Sequence, residues 1–137
     1  MSVRVNQRPT PPFETGDKAL ELSTYTLNIL SNEKIFIPKH QRTIDRISEE
    51  VTMIYHNIRV ANSIKVKNKE QAMIRLQLQR DAMVLVERLI TDIMIAHKLF
   101  HLKASRVKYW TKLTVETNEL LKAWNKSDKN RFKEYGL

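Results

Sequence analysis

The sequence predicts an all-α protein, an up-down antiparallel four-helix bundle, and three observations carry that prediction. The 2 glycines, Gly16 and Gly136, lie near the two ends of the 137-residue chain, and Pro38 is the only proline after residue 12. Tight turns need a positive or a fixed φ, so a chain without these residues favours long helices joined by short polar links. Apolar residues recur at helical spacing in four segments separated by polar breaks. With 42% hydrophobic residues the chain can fill one core, and its length suits one domain.

The first helix begins at Asp17 or Ser23, either of which can cap it, and runs to about residue 32. Leu20, Leu27 and Leu30 form its apolar face, with Leu22 and Ile29 beside them. Residues 33–39 break the pattern, because Pro38 pushes Ile37 out of helical geometry and can itself open the next helix. In the second helix Ile44, Ile47, Val51, Ile54, Ile58 and Ala61 follow spacings of 3, 4, 3, 4 and 3, one continuous seam. This helix fades near residues 66–69.

The third helix runs from about residue 69 to residue 100 and is apolar on two sides. Met73, Leu76, Met83, Val86, Ile90 and Ile93 make one stripe, and Ile74, Leu78, Leu85, Leu89 and Leu99 make another. Two stripes predict burial on both sides, inside the bundle and against something else, with self-association the simplest cover. After a turn at residues 101–104, Ser105 is placed to cap the fourth helix. That helix presents Val107, Trp110, Thr114, Thr117, Leu121 and Trp124 on one face, and its register assigns Trp110 to the core and Tyr109 to solvent. The expected organisation is a flexible tail at residues 1–16, a bundle domain at 17–126 and a polar, fraying tail at 127–137.

The chain carries 24 Lys+Arg against 15 Asp+Glu, a net charge of +9, which favours polyanionic partners. It has 0 cysteines, so disulfides and thiolate chemistry are excluded. No apolar run approaches the roughly 20 residues of a membrane span. The N-terminal stretch lacks the apolar core of a signal peptide, so no membrane partner and a cytoplasmic location are expected.

Catalytic constellations are missing, and the expectation is a protein that is not an enzyme. There is no glycine-framed serine and no Gly-rich phosphate loop. Glu49 and Glu50 point about 100° apart on a helix, and Glu50 lies too far from His56 for the Glu-x-x-His of di-metal bundles. His97 and His101 share a helical face, but metal sites need more ligands than that pair supplies, and no metal or cofactor is expected. No histidine has an arginine five to seven positions upstream, as one class of helical ribonucleases requires.

Basic residues give the stronger signal. Residues 59–80 carry Arg59, Lys65, Lys67, Lys69, Arg75 and Arg80 against Glu70 alone, and residues 98–112 carry Lys98, Lys103, Arg106, Lys108 and Lys112 with no acid. Each run has a net charge of +5. Clustered positive charge binds phosphates with salt-dependent affinity, and Tyr109 adds a ring on which a base can stack. Arg59, Lys65, Lys67, Arg75, Arg80, Arg106, Lys108 and Lys112 are the candidate nucleic-acid contacts. In an up-down bundle the two runs fall at opposite ends.

The chain resembles the accessory variability determinant (Avd) proteins of diversity-generating retroelements. The resemblance rests on FIPKHQR at 36–42, NIRVAN at 57–62, the basic third helix with Arg75 and Arg80, AHKLFHLKASRVKYW at 96–110 and ELLKAWNKS at 119–127. It spans roughly residues 23–131 and contains no catalytic motif. It implies a basic bundle that assembles as a homopentameric barrel, binds the reverse transcriptase and template RNA or cDNA, and supports mutagenic reverse transcription without chemistry of its own. The four-helix proteins encoded by ribosomal RNA intervening sequences look similar and share the proline-containing entry to the second helix. They imply the alternative reading, a bundle oligomer without a polymerase partner.

Overall fold

A computed structural model describes residues 13–137. Its elements are α1 (Glu14–Leu30), α2 (Gln41–Ser63), α3 (Lys69–Leu99) and α4 (Ala104–Arg131), with short 3-10 turns at Pro38–His40 and Lys133–Tyr135 and no strand among the described residues. Each helix packs on its two neighbours in the ring α1–α2–α3–α4, and the α2–α3 contact is the most extensive. Links this short between long helices force neighbours to run antiparallel. The result is an up-down four-helix bundle.

The α2 seam forms as the spacing dictates. Ile44, Ile47, Val51, Ile54, Ile58 and Ala61 are all buried. Pro38 opens the 3-10 turn that leads into α2, with Ile37 extended at ψ 145°. Phe36, in the same link, is buried against Phe100 and Trp110, with ring centroids 4.8 and 6.5 Å apart. Trp110 is fully buried and donates its indole N–H to Thr26 Oγ1 at 2.9 Å, which satisfies a polar group that would be costly to bury alone. Thr114 and Thr117 sit on the same inner face because their hydroxyls donate back to the carbonyls of Trp110 and Leu113 at 2.8 Å.

Three expectations about the helices need correction. In α1, Leu20 and Leu27 face outward at 44% and 41% exposure, while Ala19, Leu22, Thr26 and Ile29 face the core. The phase of α1 is set by Thr26 meeting Trp110, not by its leucine count. In α3, the two expected stripes merge into one buried seam of Ala72, Leu76, Gln79, Ala82, Val86, Leu89, Ile93 and Ala96, and Met73 and Ile74 are left exposed. Ser105 does not cap α4. The helix begins at Ala104 with Lys103 at the cap position and no side-chain cap bond, because buried Leu102 anchors the link one step earlier.

The domain limits also shift. The expected start at residue 17 is too late, since α1 begins at Glu14 with Thr15 and Gly16 buried, and Phe13 packs edge-on against Trp124 at 4.9 Å. The expected tail from residue 127 is instead helix as far as Arg131. Asp128 and Phe132 are buried, and Phe132 forms a second small core with Ala72 and Leu76. The rest of the expected N-terminal tail, residues 1–12, lies outside the described residues.

Truncating the seam should be costly and truncating the outward leucines should not. Ile54→Ala is expected to lower unfolding free energy by about 2–5 kcal/mol. Leu20→Ala should change it by no more than about 0.5 kcal/mol. Urea denaturation of the two variants checks both values.

Candidate nucleic-acid interface

The bundle sets the two basic runs at opposite ends. Arg59 lies one turn before the end of α2, Lys65 and Lys67 lie in the α2–α3 link, and Arg80 stands on α3; all four are exposed. Lys108 and Lys112 are exposed and Arg106 half-buried on the first turns of α4, at the other end.

Arg75 departs from the expectation. It is buried, and its guanidinium is fully engaged inside the protein. Nε donates to Asp128 Oδ2 at 2.7 Å, Nη2 to Asp128 Oδ1 at 3.4 Å and Nη1 to the Ile64 carbonyl at 3.0 Å. The rings of Trp124 and Phe132 lie 5.3 and 5.8 Å from its central carbon. Asp128 also accepts from Gln79 Nε2 at 2.6 Å, and Gln79 Oε1 accepts from Asn125 Nδ2 at 2.7 Å. This network joins the α2–α3 link, α3 and α4. Arg75 therefore fastens the end of the bundle and is removed from the set of candidate phosphate contacts. The counter-ion that claims it, Asp128, is 53 residues away in sequence.

Removing one partner of a buried pair strands the other charge. Arg75→Ala is expected to cost about 3–5 kcal/mol of stability, read as a large fall in thermal midpoint, whereas Lys67→Ala at the exposed link should leave the midpoint unchanged.

A basic cleft of about 530 Å³ lies where the α1–α2 and α3–α4 links meet. Lys34, Lys39, His40, His101, Lys103 and Arg106 line it over an apolar floor that includes Ile35 and Phe100, and no carboxylate is among the lining residues. His40 packs its ring edge on Phe100 at 5.6 Å, so the Trp110–Phe36–Phe100 stack runs from the core to the cleft wall. His101 takes a positive φ of 52°, the one non-glycine residue described that does. Its conformation reverses the chain after α3, with the Leu102 N–H bonded to the His97 carbonyl at 3.2 Å, the C-terminal motif that glycine usually supplies.

Of this cleft only Arg106 was among the candidate contacts. Lys34, Lys39, His40, His101 and Lys103 were missed as a group because two links far apart in sequence build it. The available signal was topological: in an up-down bundle the first and third links share an end.

A second polar feature lies between α2 and α3. Arg46 donates from Nε and Nη2 to the Asp92 carboxylate at 3.0 and 2.7 Å. Glu50 is buried beside this pair, and its Oε1 has no hydrogen-bond partner. Burial, then the hydrogen bond and negative charge of Asp92, push the Glu50 carboxyl up to about 8, against the weaker pull of Arg46 and Arg88. Burial also opposes ionisation of Asp92, but its hydrogen bonds with Arg46 and Glu50 outweigh that and hold it below the usual range. The neighbouring carboxyl groups are thereby driven apart, Glu50 towards its neutral form and Asp92 towards its ionised form.

The sign of the pH effect follows. Glu50 keeps its proton in the folded state at pH values where the unfolded chain loses it. Its contribution is complete below about 4.5 and is lost as pH rises towards about 8. Asp92 acts oppositely, with its contribution lost as pH falls through its lowered folded value. Glu50→Gln should flatten the loss of thermal stability between pH 5 and pH 8.5 relative to the parent chain. Parallel profiles for the two proteins would exclude a raised Glu50 carboxyl as the source of the pH dependence.

Among the described residues no group of three or more His, Cys, Asp or Glu is arranged to hold a metal ion, and no helix is long and apolar enough to cross a membrane. The fold and the lining of the cleft define a basic four-helix-bundle protein. Comparison with known proteins finds no matching family model, no matching curated protein and no matching solved structure.

Proposed function

We propose that this protein is a non-catalytic accessory factor of a diversity-generating retroelement, binding the reverse transcriptase and template RNA or cDNA through its basic surface. The observation that carries the nucleic-acid part is the cleft of Lys34, Lys39, His40, His101, Lys103 and Arg106 with no acid in its lining. Charge of one sign in a concave site focuses its field on a phosphate. The exposed Tyr109 lies on the same end and packs edge-on against Tyr25 at 4.9 Å, which leaves it beside the cleft-forming turn of α4 as a stacking surface. The retroelement and its polymerase rest on the sequence resemblance.

Homopentameric assembly belongs to the same proposal. It is supported by the outward face of α3, where Val84, Met94 and Ile95 are 54%, 67% and 44% exposed. Apolar side chains at this spacing along one helix give a second copy an apolar face to pack on.

Two measurements test the reading. Single-stranded RNA should bind with an affinity that falls steeply as salt rises. Lys39→Glu combined with Lys103→Glu should weaken it at least tenfold at fixed salt, with thermal stability retained. Unchanged RNA affinity in that folded variant would overturn the cleft as the phosphate site. Co-purification of the tagged chain should recover a reverse transcriptase together with one dominant RNA. Recovery of the chain's own oligomer alone would favour the intervening-sequence type of bundle.

A further inference from the structure

At the end of the bundle opposite the basic cleft, a groove of about 560 Å³ runs between the first half of α3 and the C-terminal turn of the chain. Its floor is aliphatic, made by Met73, Ile74, Leu76 and Leu137. Its rim carries Arg80, Lys129 and Lys133, and none of its lining residues is acidic. Met73 and Ile74 are about half exposed, at 51% and 48%, although α3 buries a complete seam on its other side. Arg80 is held in place on the rim, donating from Nη2 to Gln77 Oε1 at 2.9 Å, while Gln77 Nε2 binds Asp81 Oδ1 at 2.8 Å.

We propose that this groove docks an acidic segment of a partner protein, one that places apolar side chains on the floor and carboxylates against the rim. Charge complementarity selects that occupant. Residues 1–12 bring Arg4 and Arg8 with no acid to an already positive rim, and packing between copies is assigned above to Val84, Met94 and Ile95 farther along α3. A nucleic acid would satisfy the rim but has no use for an aliphatic floor, which offers no ring for a base to stack on. A bilayer would need a broad apolar face, whereas here four apolar lining residues alternate with Gln77, Arg80, Lys129 and Lys133 around one groove. Met73 gives the floor an adaptable surface, as in other helix-binding grooves. This inference does not depend on the retroelement reading, since it uses the other end of the bundle.

The test selects displayed random 16-residue peptides on the full chain, then measures the best binder by fluorescence anisotropy. The expected binder combines Asp or Glu with apolar anchors at helical or alternating spacing. Its affinity should fall at least tenfold in Ile74→Asp and in Lys129→Glu/Lys133→Glu, with Met73→Asp as a second floor variant. All four positions are exposed, so each variant should keep its thermal midpoint. Lys39→Glu/Lys103→Glu, which tests the nucleic-acid cleft, should leave peptide affinity unchanged. The proposal fails if a scrambled peptide of equal charge binds as well, if the floor variants bind normally, or if single-stranded RNA or anionic vesicles compete the peptide off and lose affinity in Ile74→Asp to the same extent.

Discussion

The shortness of the links is the constraint on which everything else depends. Helices of 17, 23, 31 and 28 residues are joined through residues 31–40, 64–68 and 100–103. The second and third links are too short to cross the bundle, and the first is folded around buried Phe36 and the Pro38–His40 turn, so each helix reverses direction on the one before it. Two consequences follow at once. The first and third links meet at one end and make the basic cleft, and the second link meets the last turn of α4 at the other. Sites that look scattered along the chain are local in space, and runs that look adjacent on α3 are separated by its length.

Buried polar groups fix how the helices meet within that frame. The apolar seam of α2 drives association but does not choose a unique axial register, since one aliphatic residue substitutes readily for another. Trp110 with Thr26, Arg75 with Asp128, and Arg46 with Asp92 and Glu50 are specific pairings. Each satisfies a donor or charge that would be expensive to bury unpaired, so a slip of one turn breaks all three. The interactions span α1–α4, α3–α4 and α2–α3, which together cover three of the four contacts around the ring.

These same pairings explain where basic charge is available for partners. Arg75 and Arg46 are held by carboxylates, whereas Lys34, Lys39, Lys103, Lys129 and Lys133 line their concavities with no acid among the lining residues. A count of Lys and Arg along the chain treats them alike. Their division into structural and available groups depends on whether a carboxylate from another helix reaches them, and here it yields two basic concavities of different character, one with an aromatic wall and one with an aliphatic floor.

The helical class, the break at Pro38, the α2 seam and the core position of Trp110 were legible in the sequence, because backbone freedom and 3.6-residue periodicity act over neighbouring positions. The α1 phase, the single seam of α3 and the helical end at residues 127–131 were not. Each was decided by a residue on another helix: Trp110 for α1, Asp128 for Arg75, and Ala72 and Leu76 for Phe132. Local spacing cannot report which of two apolar faces finds a partner or which polar residue is neutralised. The sequence by itself determined that this is a basic chain of four long helices. Only the tertiary structure decided which charges were spent holding those helices together and which were left at its ends, since desolvation and pairing are settled by contacts between residues distant in the chain.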